Sequence, residues 1–211
     1  MAKGKRGRGE VDLLLEKHRA CFNPPDRKKI EELISEVRDL PKEEKNRTDG
    51  EGKTAVAHAV SIEDIALRKY AVNALLEVGM SAHVYRGKTQ ESSPLIISLF
   101  LPVDTRSDEV VKLLLDMGAG IFTRVDKIGN SLFVAAHCGY IEAAKLILNQ
   151  AKKEREHHPE VIKSLIDIGW DRKNQTVKSE AIKGGHPEFV KPYEEYLQKI
   201  LGETESHSDA S

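Results

Sequence analysis

The run Gly50-Glu51-Gly52-Lys53-Thr54 is the first place to look for phosphate chemistry. A phosphate-cradling loop needs the pattern G-x-x-x-x-G-K-[ST] directly after a strand. Its leading glycine would fall at position 47, which is Arg47, and no strand-like run precedes it. The run therefore reads as a tight turn. His137-Cys138 sets an imidazole beside a thiol. Adjacent helix residues point about 100° apart, so the two do not converge on one ion or substrate. Cys21 is far away in sequence, and no C-x-x-C pair exists. His157-His158 lies in the charged stretch 150–160 and reads as solvated. Carboxylates follow helix faces and form no isolated apolar-shielded pair suited to general acid–base work. The expectation from these residues is no enzyme, no cofactor and no metal site.

The elements that carry them are thin and well solvated. The chain has 211 residues, of which 39% are hydrophobic, 32% charged and only 5% aromatic. A formal net charge of −1 gives no global attraction to nucleic acid or membrane. Two cysteines are too few for a disulfide scaffold, and a reduced intracellular setting is expected. The longest apolar stretch, from Leu95 to Val103, is broken by Ser98 and Pro102 and is too short to span a bilayer. Lys3, Lys5, Arg6 and Arg8 make a basic start with no apolar segment behind it, unlike a secretory leader. It reads as a solubilising tail in a cytoplasmic protein. The alternative is a nuclear signal or a nucleic-acid arm.

An internal repeat organises the rest. Thr54 and Ser93 each open a stretch of small and apolar residues, and Gly79 and Gly118 each follow 25 residues later. Both landmarks are offset by 39 residues. A third unit runs GNSLFVAAHCGYIEAAKLIL from Gly129 to Leu148, and a fainter one begins TVKSEAIKGGHPEFVKPYEEYL at Thr176. Such self-similarity marks units that bury their apolar faces only by stacking. The third unit resembles the ankyrin repeat: Ala135-Ala136, Gly139, Ile141-Glu142 and Leu146-Ile147-Leu148 fall in the family's register, with one residue missing near Ser131. Asp49-Gly50-Glu51-Gly52-Lys53-Thr54 resembles the family's turn leading into a unit.

The resemblance implies an all-α ankyrin-repeat solenoid of stacked helix–turn–helix units with finger-like turns. The expected organisation is a tail at 1–9, a cap at 10–47, repeats at about 48–86, 87–125 and 126–170, a degenerate C-terminal unit at 171–202 and a second tail at 203–211. Thr54 and Ser93 are expected to cap helices with their hydroxyls, and Gly79, Gly118 and Gly169 to end them. Segments SIEDIALRK and FLPVDTRSD hold about four extra residues each and predict longer loops between helices in the first two full units.

The resemblance also implies a non-enzymatic protein-binding module, whose partner sits on the concave surface made by the fingers and the inner helices. Carried over by position, the partner-binding residues are Glu51 and Lys53; Arg86 and Lys88; Phe100 and Leu101 as exposed anchors; Arg124, Lys127 and Asn130; His137; and Arg172 and Lys173. Three fingers with two basic groups each suggest a basic stripe and a partner presenting an acidic segment. The alternative partner is nucleic acid, held by the tail and these tips.

Overall fold

A computed structural model describes residues 21–22, 24–49, 51–83, 93–155, 160–167 and 175–205. Among them the chain is mainly α-helical, with two isolated bridges in place of any strand. The helices are α1 (Arg27–Arg38), α2 (Lys42–Lys45), α3 (Ala55–Val60), α4 (Ile65–Glu77), α5 (Pro94–Phe100), α6 (Asp108–Asp116), α7 (Ser131–His137), α8 (Ile141–Arg155), α9 (Val161–Asp167), α10 (Val177–Lys183) and α11 (Val190–Glu205). The short helices α3, α5, α7 and α10 pack on one another in that order. The longer α1, α4, α6 and α8 form a second succession, and α9 and α11 close against α8. One buried apolar cluster runs through both layers.

Local chemistry accounts for these elements. Asp26 accepts from the Lys28 and Lys29 amides at 2.9 and 3.3 Å and starts α1. Ile30, Leu33, Ile34 and Val37, at helical spacing, are its buried face. Thr54 Oγ1 accepts from the Ala57 amide at 3.2 Å, as a helix cap should. Ala57, Ala59, Ala135 and Ala136 are fully buried, which lets the short helices approach closely. Gly79 and Gly118 have φ of 86° and 84°, the left-handed turn that ends a helix at no Cβ cost. Gly169, Trp170 and residues 11–20 lie outside the described residues.

Three expectations need correction. The Ser93 hydroxyl caps nothing: it is buried and has no hydrogen-bond partner among the described residues. Pro94 at the first helical position already supplies a fixed φ and leaves one fewer amide to satisfy. Next, the four-residue excess does not sit in a loop in both units. In the first, Asp64 accepts from the Leu67 amide at 2.7 Å, starts α4 early and winds the excess into a 13-residue helix. In the second, Pro102 stops α5, Ser107 caps the nine-residue α6, and the excess becomes the loop 101–107. Finally, the third unit lacks nothing before its helix. The Val125–Gly129 turn closes over the same five residues as Asp49–Lys53, with N···O distances of 2.7 and 3.0 Å. Both Lys127 (φ 65°) and Gly129 (φ 129°) take positive φ in this turn.

Successive units are tied by side chains reaching main-chain groups. Arg68, fully buried, donates from Nε to the Ile62 carbonyl at 2.6 Å, from Nη2 to Glu63 at 3.3 Å and from Nη1 across to Thr105 of the next unit. Arg106 repeats the move, donating to Leu101 at 3.0 Å and to Cys138 of the next unit at 2.8 Å, with its guanidinium over the Tyr140 ring. At the other end of the units, the Ser81 amide donates to Asn46 and the Gly120 amide to His83.

Candidate binding surface

The ends of the short helices α3, α5, α7 and α10, with the described turns before α3 and α7, lie along one packing succession. Its first part is built on Asp49. Asp49 Oδ1 accepts from the Glu51 and Lys53 amides at 2.8 and 3.0 Å, which folds the turn, and Oδ2 lies 2.7 Å from His58 Nε2 on α3. Burial pushes the Asp49 carboxyl up, but the Lys53 amide, His58 and the Glu51 amide outweigh it and hold it below the usual carboxylate range. Phe22 lies nearly parallel to the His58 ring, 9° off at 6.4 Å. A cavity of about 450 Å³ opens between Phe22, Pro24 and Pro25 and the end of α3, and Glu51, Ile62 and Glu63 line it too.

The middle part is apolar. Phe100 is 43% and Val103 73% exposed, and Ile97 and Leu101 are half-buried beside them. The last part centres on Glu180, 1% exposed on α10. Its carboxylate takes Gln175 Nε2 at 2.8 Å, His137 Nδ1 at 2.8 Å and Lys183 Nζ at 3.2 Å. Lys183 Nζ also reaches the Lys127 carbonyl at 3.5 Å.

Against this geometry the residues singled out in the sequence divide. Glu51 and Lys53 are on the surface but pair with each other at 3.1 Å. Phe100, Arg124 and Lys127 are exposed, and Leu101 is half-covered. Asn130 is not a surface residue: it is fully buried, caps α7 through the Leu132 amide at 3.0 Å and donates to the Leu165 carbonyl at 2.7 Å. His137 is drawn into the contact between α7 and α10 by Glu180. Arg86, Lys88, Arg172 and Lys173 lie outside the described residues, as do Lys3, Lys5, Arg6, Arg8 and His157-His158. Sequence reading missed the Asp49–His58 pair, Phe22, Glu63 and Val103. Only the turn-forming Asp49 carried a signal, and its partner nine residues on did not.

Ser61 follows His58 by one turn, yet its hydroxyl donates to the Ala57 carbonyl at 3.3 Å, so no hydroxyl–imidazole–carboxylate relay forms. Burial pushes the Cys138 thiol up, against Arg106, which keeps it protonated and a poor nucleophile at neutral pH. Among the described residues no group of three or more His, Cys, Asp or Glu is placed to hold a metal ion, and no helix is long and apolar enough to cross a membrane. Compared with known proteins, the chain matches no family model and no curated protein sequence.

Proposed function

We propose that this chain is an ankyrin-repeat stack, and that it binds a protein partner, without catalysis, along the edge formed by its turns and short helices. Three features support the family reading. Short and long helices alternate from α3 to α8, each layer packs in chain order, and the same spacing to a left-handed glycine recurs from Thr54 to Gly79 and from Ser93 to Gly118. The observation that carries the binding reading is the exposed apolar group of Phe100 and Val103 beside Ile97 and Leu101, at the centre of that edge. Apolar side chains held in water by a rigid scaffold are typical anchors for a partner. The flanks are polar and of opposite character, with Glu51 and Glu63 at one side and Arg124 and Lys127 at the other. An acidic residue in the partner suits the second flank.

The nucleic-acid alternative has less support. Of the basic groups described on this edge, Lys53 is engaged by Glu51 and Lys183 by Glu180. A backbone-tracking groove needs several cations in line. The test is capture from a lysate on the immobilised protein, with and without nuclease. The expected result is a retained protein, unaffected by nuclease, that is lost with Phe100→Ala combined with Val103→Asp while the thermal midpoint holds. Retention that nuclease abolishes, or that the double variant leaves intact, overturns the reading.

A further inference from the structure

The cavity beside the first turn has the chemistry of a side-chain seat. Its walls are flat and apolar where Phe22, Pro24, Pro25 and Ile62 face it, and its charged groups are Glu51, Glu63 and Lys53. Lys53 is committed to Glu51 at 3.1 Å. Glu63 makes no ion pair among the described residues and is exposed. His58 lines it too, with its Nε2 2.7 Å from Asp49 Oδ2. The lining thus offers carboxylate acceptors beside an imidazole, between apolar planes. An anion would meet the Glu63 carboxylate there, with the Glu51–Lys53 pair mutually neutralised. An ammonium would have to shed tightly held water against proline and phenylalanine. A guanidinium is planar, weakly hydrated, a donor on every edge and at ease against aromatic and apolar faces.

We infer that this cavity seats an arginine side chain of the bound protein segment, and that an apolar residue three positions away in the same segment rests on Phe100. The inference builds on the protein-binding reading. The spacing follows from the stack. Packed helices lie about 10 Å apart, an extended chain advances about 3.3 Å per residue, and α3 and α5 are direct neighbours. One step along the short helices therefore equals about three residues of an extended segment lying across them.

A pooled library of short labelled peptides, each holding one arginine and one leucine at stepped separations among random residues, tests it on the full chain. The expected result is strongest binding at a separation of three. Affinity should fall when the peptide arginine becomes lysine, and should fall roughly tenfold with Glu63→Lys, because a cationic wall then faces the cation. Glu63 is exposed, so the variant's thermal midpoint is expected to be unchanged, and circular dichroism checks this. Binding that needs Phe100 but ignores both the peptide arginine and Glu63→Lys overturns the arginine seat and leaves the protein-binding reading standing. Peptides retained nowhere, when lysate capture succeeds, also overturn the seat. Failure of both experiments overturns the two together.

Discussion

Replacing Arg68 by methionine tests the side chain that most firmly joins the first two units. The methionine keeps most of the buried volume and removes only the donors. Three carbonyls then lose a charged partner: Ile62, Glu63 and Thr105. A hydrogen bond to a charged group contributes about 1.5–3 kcal/mol, and an orphaned buried acceptor costs about 1–3 kcal/mol. The gain is not threefold. Burial lowers the arginine's pKa, which shows that its charge costs desolvation, and methionine escapes that cost. Glu63 and Thr105 lie in loops that water reaches, whereas Ile62 is 2% exposed, so its carbonyl stays dry. Together these put the loss at about 3 kcal/mol, a large share of the 5–15 kcal/mol typical of a domain. Urea unfolding followed by circular dichroism at several protein concentrations reads it directly. Arg106→Met provides the comparison: Arg106 is half-buried, so about 1–2 kcal/mol is expected there. A loss below about 1 kcal/mol for Arg68→Met, with an unchanged denaturant slope, refutes the assignment of the joint to these three bonds.

The other expectations concern single atoms. Thr54→Ala should cost about 1 kcal/mol through the lost cap, while Ser93→Ala should be neutral or slightly stabilising because its hydroxyl is buried unpaired; thermal melts of the two variants side by side decide this. Gly184→Ala should destabilise by about 1–3 kcal/mol, since a Cβ there would lie 2.0 Å from the His137 carbonyl oxygen. At Gly185 there is open space but φ is 88°, so alanine should cost about 1 kcal/mol from conformation alone. Asp49 sits below its ordinary pKa when folded, so its contribution is full at neutral pH and is lost as pH falls through the folded value. The stability gap between wild type and Asp49→Asn should therefore be constant down to about pH 5 and close in stronger acid. A gap that widens on acidification contradicts this.

What the sequence disclosed was what is written locally. Thr54, Gly79 and Gly118 act within a few residues of themselves, so side-chain type and spacing were enough. Ser93 has the same type at the same place, but the proline beside it changes the demand. The extra four residues were legible as a number and not as a shape. Whether they become helix or loop depends on whether an early aspartate or a proline comes first. Position in the repeat register puts Asn130 on a finger; its burial comes with a bond to a carbonyl on α9, 35 positions later. Arg68 and Arg106 gave no signal, because what they recognise is main chain, which has no letter.

That last point bears on how such a chain ages. In the Arg68 joint the receiving unit contributes only a carbonyl, so any residue can replace Thr105 and the joint survives, whereas the Arg106 joint also uses the Tyr140 ring. In the Arg68 joint the constraint falls on the donor alone. Mutational drift can then erase the receiver's letters freely, and a lineage built this way would keep its architecture long after its units had ceased to look alike.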